Sequence, residues 1–158
     1  MTTVKPPRQR RKQARPGEII EAALSLFQKK GFAASKIEDI ASAANVTKGT
    51  VYLYFPSKED LFKAVIRETI IPNIDRLEKA AENEQNASAK LDIVLQLWAT
   101  GLSRCRGSFT KLIIAEAGNF PDLAAFYREE VINRMRGLLG NIIETGIASG
   151  EFSPCDPT

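Results

Sequence analysis

Histidine is absent from this 158-residue sequence, and cysteine is scarce, with only Cys105 and Cys155 present. Without histidine, the Ser-His and Cys-His pairs of nucleophilic catalysis and the commonest general base are excluded. The two cysteines form no Cys-x-x-Cys pair and are too few for a disulfide scaffold, so we expect no metal site and no cofactor. An enzyme is therefore the weakest hypothesis, and we predict that the protein is not one.

Long apolar runs are also missing. No stretch approaches the ~20 consecutive apolar residues that a membrane-spanning helix needs. The N-terminus is basic but has no apolar segment behind it, so it does not resemble a secretory signal. We therefore expect a cytoplasmic protein that makes no membrane contact.

The net charge of +3 is unevenly distributed along the chain. Residues 1–63 hold 12 basic and 6 acidic side chains, whereas residues 64–158 hold 10 basic and 13 acidic ones. Six of the basic residues lie between Lys5 and Arg15 with no acid among them. We interpret residues 1–15 as a basic disordered arm, and we expect a polyanionic partner at this end of the molecule only. Taken alone, the arm is equally typical of a solvated tail.

Apolar residues recur at helical spacing along the rest of the chain, and no segment shows convincing strand alternation. A first helix is predicted from about Pro16 to Lys30, because Gly31 suits the left-handed position just past a helix end. A fourth helix is predicted to start at Ser57, with Asp60 three residues on at its N-terminus, and to be kinked at Pro72. The pattern predicts an all-α fold with two domains, residues 16–63 and residues 64–158.

Two short helices are predicted between residues 35 and 54. Ser35 and Glu38 have the spacing of a capping box, which would open the first of them. Asn45 tolerates the left-handed backbone that a sharp turn requires, and Thr47 can cap the second helix. With the helix before them, they form a three-helix helix-turn-helix unit, whose second short helix has the size that fits the major groove of DNA.

The second short helix carries side chains suited to DNA. Its first turn, where a reading helix meets base edges, consists of Thr47, Lys48, Gly49 and Thr50. Gly49 costs ~1 kcal/mol in a helix relative to alanine, which is understandable if the backbone comes close to DNA. Tyr52 and Tyr54 can donate hydroxyls to phosphates, and Lys58 adds a charge. The alternative from these residues alone is a helical hairpin with packed tyrosines and a solvated lysine.

The sequence IASAANVTKGTVYLYFPSKEDL at residues 40–61 resembles the DNA-binding signature of the TetR/AcrR family of transcriptional regulators. The resemblance extends through residues 19–27 and 31–32, and each helix, turn and cap falls in register. It implies a homodimer that binds a palindromic operator in double-stranded DNA, most simply as a repressor released by a small apolar ligand. It also implies base contacts from Lys48, Gly49 and Thr50. The phosphate contacts that it implies are Ser35, Tyr52, Tyr54 and Lys58. The complete predicted DNA-binding set is Ser35, Lys36, Thr47, Lys48, Gly49, Thr50, Tyr52, Tyr54 and Lys58.

The helical domain from residue 64 onward is predicted to bind the ligand and to dimerise. Its apolar and aromatic side chains can line a cavity between helices, or they can simply fill a core. The predicted ligand-binding set is Trp98, Leu102, Phe109, Ile113, Phe120, Phe126 and Tyr127. Family members usually continue for two more long helices, so we expect a truncated chain or a short member of the family.

Two rival functions stay open at this point. One is a DNA-binding regulator of the same fold that responds to no ligand. The other is a helical protein-interaction module whose basic face contacts an acidic partner. A reader of grooves needs two half-sites on a duplex, whereas an electrostatic module does not, so the two classes differ in their dependence on duplex length.

Overall fold

The computed structural model describes residues 8–104 and 119–154, with side chains for residues 16–100 and 119–154. It divides into two compact units, Met1–Glu68 and Thr69–Thr158. The helices in chain order are α1 (Arg8–Lys30), α2 (Ile37–Ala43), α3 (Lys48–Tyr54), α4 (Lys58–Thr69), α5 (Ile71–Glu82), α6 (Ala87–Arg104), α7 (Pro121–Tyr127), a π-helical segment (Arg128–Asn133) and α8 (Arg134–Ala148). Every regular element in the described ranges is helical, so the predicted all-α fold is confirmed.

Three phenylalanine rings form the centre of the first unit. Phe27 on α1, Phe32 in the following loop and Phe62 on α4 are at most 2% exposed. Their ring centroids lie 4.9 to 5.5 Å apart at interplanar angles of 49° to 71°, close to the edge-to-face packing that aromatic pairs prefer. The large aliphatic side chains that are fully buried in this unit are Ile19, Ile40, Val51, Leu61, Val65 and Ile66. Because these come from all four helices, the core fixes where α2 and α3 lie.

Helix α1 starts eight residues earlier than the apolar pattern predicts. It begins at Arg8 and continues through Pro16, so residues 8–15, which the sequence places in the predicted arm, are helical in this structure. Residues 1–7 of that arm lie outside the described ranges. The pattern misses the extension because Arg, Gln, Lys and Ala favour a helix without an apolar face. At the other end Gly31 has φ of 85° and its amide donates to the Phe27 carbonyl at 2.9 Å, which confirms the predicted left-handed end.

The helix predicted to be kinked at Pro72 is in fact two helices. Helix α4 ends at Thr69 and α5 begins at Ile71. Pro72 lies in the first turn of α5, where a missing amide hydrogen breaks no bond because first-turn amides have no acceptor within the helix. The two compact units divide between Glu68 and Thr69, five residues beyond the boundary predicted after residue 63.

An aliphatic cluster organises the second unit. Its buried members come from α5, α6 and α8 and are Leu77, Ala81, Ala87, Val94 and Ile142. After α8 the chain returns to this cluster, where the Glu151 carboxylate accepts from the amides of Ser88 at 3.0 Å and Ala87 at 3.1 Å. These two hydrogen bonds lower the pKa of Glu151. The carboxylate thus caps the N-terminus of α6, which carries partial positive charge.

An arginine joins α5 to the start of α8. Two nitrogens of Arg134 donate to the two oxygens of Glu78 at 3.2 and 2.5 Å, and one of them also donates to Asp75 at 2.8 Å. The hydrogen bonds that Arg134 donates to Glu78, which have the larger effect, and to Asp75 raise the pKa of Arg134. A bidentate arginine–carboxylate pair adds geometric specificity to its charge, so the cluster sets how α8 lies against α5.

Candidate DNA-binding site

The turn between α2 and α3 is a Schellman motif. Asn45 adopts a left-handed backbone with φ of 53°. Its amide donates to the Ser42 carbonyl at 3.1 Å, and the Val46 amide reaches back to the Ala41 carbonyl at 2.9 Å. Asparagine is among the few residues besides glycine that enter this region easily, and the predicted role of Asn45 is confirmed. The motif ends α2 abruptly, so α3 starts at Lys48.

Helix α3 is capped at its start and anchored in its middle. Thr47 Oγ1 accepts from the Thr50 amide at 3.2 Å, which confirms the predicted cap. Val51 is fully buried and holds the inner face of the helix against the core. The outer face carries side chains from the predicted DNA-binding set, namely the exposed Thr47, Lys48, Gly49 and Tyr52 and the half-buried Thr50 and Tyr54.

Lys48 forms an ion pair with a residue of the other short helix. Its Nζ lies 2.5 Å from Glu38 Oε1, and both side chains are more than half exposed. The ammonium also lies 5.8 Å from the centroid of the Tyr52 ring, one turn further along α3. The hydrogen bond between Lys48 and Glu38 lowers the pKa of Glu38 and raises the pKa of Lys48. The lysine predicted to meet base edges is therefore already engaged in this structure.

Lys58 supports the site from inside the first unit. Its Nζ donates to the carbonyls of Phe32 at 2.9 Å, Ser35 at 3.1 Å and Ala33 at 3.3 Å, and lies 4.4 Å from the centroid of the Phe32 ring. An ammonium has three donors, and these carbonyls take all of them. This geometry argues against the predicted phosphate contact and makes Lys58 a clamp on the loop between α1 and α2.

Ser35 also points inward. Its side chain is 1% exposed, and its hydroxyl donates to the Gly31 carbonyl at 2.6 Å. The N-cap of α2 is Lys36, whose side chain makes no capping bond, so the predicted capping box of Ser35 and Glu38 is wrong. The hydroxyl bonds a carbonyl four residues earlier instead, because the loop after Gly31 turns Ser35 into the core. This burial argues against a phosphate contact through the Ser35 side chain.

Two residues at this surface are missing from the DNA-binding set that the sequence predicts. Leu53 is 78% exposed, the highest value among the large exposed apolar side chains described. Its signal is helical spacing, because it lies two residues from the buried Val51 and therefore on the opposite side of α3. Glu38 is predicted to face Ser35, yet its partner is ten residues ahead on another helix. Spacing within one helix carries no signal for such a pair.

The predicted ligand-binding residues lie in the second unit. Trp98 on α6 is 46% exposed, Tyr127 on α7 is 6% exposed, and Phe120 and Phe126 are half-buried. Phe109, Ile113 and the side chain of Leu102 lie outside the described ranges. A surface groove of about 760 Å³ lies instead against α1 and the end of α2 in the first unit, and none of these residues lines it. The ligand site stays a prediction.

Among the residues that the structure describes, no helix is both long and apolar enough to cross a membrane. The same residues contain no group of three or more Cys, Asp or Glu side chains placed to hold a metal ion. For the chain as a whole, the absence of a metal site stays a prediction.

Comparison with known proteins identifies the first unit. A model of bacterial regulatory proteins of the tetR family matches residues 19–65, the segment that runs from α1 into α4. The fatty acid metabolism regulator protein of Bacillus subtilis is 30% identical over 146 residues, which cover 89% of this chain and 73% of that protein. The transcriptional regulator RutR of Escherichia coli is 31% identical over 156 residues, which cover 95% of this chain and 70% of that protein.

The likeness continues through the second unit in three dimensions. The transcriptional regulator FadR of Bacillus subtilis, solved in complex with stearoyl-CoA, matches with a TM-score of 0.70 and 27% identity, over 89% of this chain and 75% of that chain. The residues matched by the family model include the Schellman turn, the capped α3 and its exposed face. This chain therefore belongs to the tetR family of bacterial regulatory proteins and is a DNA-binding transcriptional regulator.

Proposed function

We propose that this regulator is a homodimeric repressor that binds a palindromic operator through α3 and leaves it when the second unit binds a small ligand with an apolar body. The observation that carries the DNA-binding part is the outer face of α3, which is polar and exposed in its first turn and anchored by the buried Val51. A helix presented in this way can enter a major groove with its N-terminal residues toward base edges.

Base contacts are proposed for the first turn of α3. Lys48 and Thr50 carry donors that suit the acceptors of a base edge. At Gly49 an added Cβ would meet only Thr47 Oγ1, at 3.9 Å, so the packing of the protein itself does not require glycine there. Glycine is nevertheless costly in a helix. Close approach of DNA to the backbone accounts for that cost.

Phosphate contacts are proposed for side chains around this turn. Tyr52 and Tyr54 carry hydroxyls, and Lys36 presents an exposed ammonium at the start of α2. Thr47 lies at the edge of the set, where its hydroxyl is shared with the α3 cap. The exposed Leu53 can make apolar contact with a thymine methyl group. Ser35 and Lys58 are left out of the contact set because both are engaged inside the unit.

Dimerisation and release are carried over from the family. A homodimer presents two copies of α3, and its two-fold symmetry matches that of a palindrome. One relative is named a fatty acid metabolism regulator, and the solved FadR is bound to stearoyl-CoA. These names support a ligand with a long apolar part, and Trp98, Phe120, Phe126 and Tyr127 are the described candidates to meet it. Such a regulator acts in the cytoplasm, where its operator is, and needs no catalytic activity.

Selection of bound duplexes from a random pool tests this proposal. We expect enrichment of a sequence with two half-sites related by a two-fold axis, with their centres about one helical turn of DNA apart or a multiple of it. The matched control is Lys79→Ala, which removes an exposed lysine of α5 and should select the same sequence. If no sequence is enriched, or if binding depends on salt but needs no second half-site, the result would favour the protein-interaction module instead.

A further inference from the structure

The ion pair between Glu38 and Lys48 links the first turns of the two short helices. Glu38 is the second residue of α2, and Lys48 is the first residue of α3. Lys48 is the one basic side chain of α3, so the pair engages the whole positive charge of the reading helix. Both side chains remain more than half exposed, so a partner that approaches the outer face of α3 meets the pair intact.

The neighbouring acid on α2 has a different partner. Asp39 pairs with Lys30 at 3.1 Å, and this bond joins α2 to the end of α1. The two acidic residues in the first turn of α2 therefore contact different helices, although they are adjacent in sequence and carry the same charge. Only Glu38 contacts the reading helix, because only its carboxylate reaches Lys48.

A carboxylate at this place opposes DNA in two ways. It repels phosphates, and it occupies the lysine that would otherwise attract them from any sequence. A correct base edge can replace the carboxylate with well-placed acceptors, such as O6 and N7 of guanine. A random sequence presents such a pair of acceptors in that position only by chance, so on most sequences Lys48 stays with Glu38 and the repulsion remains. Repulsion of non-matching DNA in this way adds to the specificity that contacts with the matching bases provide.

We propose that Glu38 is a specificity-determining residue, which holds Lys48 in the free protein and releases it only to a matching base edge. The inference rests on the proposed base contact of Lys48 and deepens it. It predicts that removing the Glu38 carboxylate strengthens binding to random DNA more than binding to the operator, so that the ratio of the two affinities falls.

The experiment compares Glu38→Gln with Asp39→Asn in the full chain. Each variant removes one negative charge from the first turn of α2, but only the first frees Lys48. Affinities are measured for the duplex selected from the random pool and for a scrambled duplex of equal length and composition. We expect Glu38→Gln to lower the ratio of operator affinity to scrambled-duplex affinity about two- to fivefold, the range that coupling of an exposed ion pair allows. Asp39→Asn should raise both affinities equally and leave the ratio unchanged.

A double variant locates the effect. In a Lys48→Ala background, Glu38→Gln should no longer change the ratio, because the group that Glu38 holds is gone. If Glu38→Gln raises both affinities as Asp39→Asn does, or if its effect survives in the Lys48→Ala background, the inference is overturned while the proposed function stands. If the wild-type protein itself binds both duplexes equally, the proposed function fails instead. Thermal unfolding of each variant checks that these exposed substitutions leave the fold intact.

Discussion

Replacing Phe62 with alanine is expected to destabilise the first unit by about 3–5 kcal/mol, the usual cost of truncating a buried phenylalanine. Phe62 is 2% exposed, and its ring contacts those of Phe27 and Phe32 with centroids 5.4 and 4.9 Å away. The substitution leaves a cavity at the centre of the core, and this core holds α2 and α3 in place. Since whole domains are stable by only about 5–15 kcal/mol, DNA binding should weaken as well. Denaturant unfolding followed by circular dichroism measures the loss.

The control for Phe62→Ala is Leu53→Ala. Leu53 belongs to the same unit and is also a large apolar residue, but it is 78% exposed. Its truncation should change the free energy of unfolding by no more than about 0.5 kcal/mol. Equal destabilisation by the two variants would show that the three-ring cluster is not the centre of the core.

Replacing Lys58 with methionine is expected to cost about 1–3 kcal/mol of folding free energy, as when part-buried carbonyls lose a charged donor. Methionine can keep an apolar chain against the Phe32 ring, so the change isolates the ammonium that the carbonyls of Phe32, Ala33 and Ser35 share. The loop before α2 should loosen, and binding to all duplexes should weaken with it. The slope of affinity against salt should not change, because no phosphate contact is lost.

Lys36→Met provides the opposite case. Lys36 is exposed, and its side chain makes no capping bond in this structure, so its removal should leave stability nearly unchanged. As a proposed phosphate contact, it should lower the salt slope by about one. Unfolding and salt titrations of both variants distinguish a lysine that holds the loop in place from a lysine that contacts phosphate. A lowered salt slope with unchanged stability in Lys58→Met would restore Lys58 to the DNA-binding set.

The features that sequence alone predicted correctly are settled within a few residues. Gly31 and Asn45 end helices with a left-handed backbone, and Thr47 caps the amide three residues on. Ser57 does the same for Asp60 at 2.9 Å. In each case the residue type and its neighbours determine the hydrogen bond, so the tertiary fold has little to change. The helix-turn-helix unit follows from these local signals together with the apolar spacing.

The features that were missed depend on contacts between elements. Lys58 contacts carbonyls 23 to 26 residues earlier, and Glu38 contacts a lysine ten residues later. Ser35 was predicted to cap α2, but the loop buries its side chain, and its hydroxyl donates to the Gly31 carbonyl instead. The early start of α1 has another cause, because helix propensity without an apolar face leaves no periodic signal. Hydrogen-bond partners that lie on another element therefore could not be predicted from the sequence.

The first turn of α3 is proposed to read bases while the tyrosines hold phosphates, and the Lys48→Ala variant separates these two roles. Affinities of this variant are measured for the selected duplex, for its single-base changes and for random DNA, with Tyr54→Phe in parallel. We predict that Lys48→Ala loses about 5- to 150-fold of discrimination at one base pair of each half-site and little elsewhere. Tyr54→Phe should weaken all duplexes about equally. Equal weakening of selected and random DNA by Lys48→Ala would show that Lys48 does not read a base.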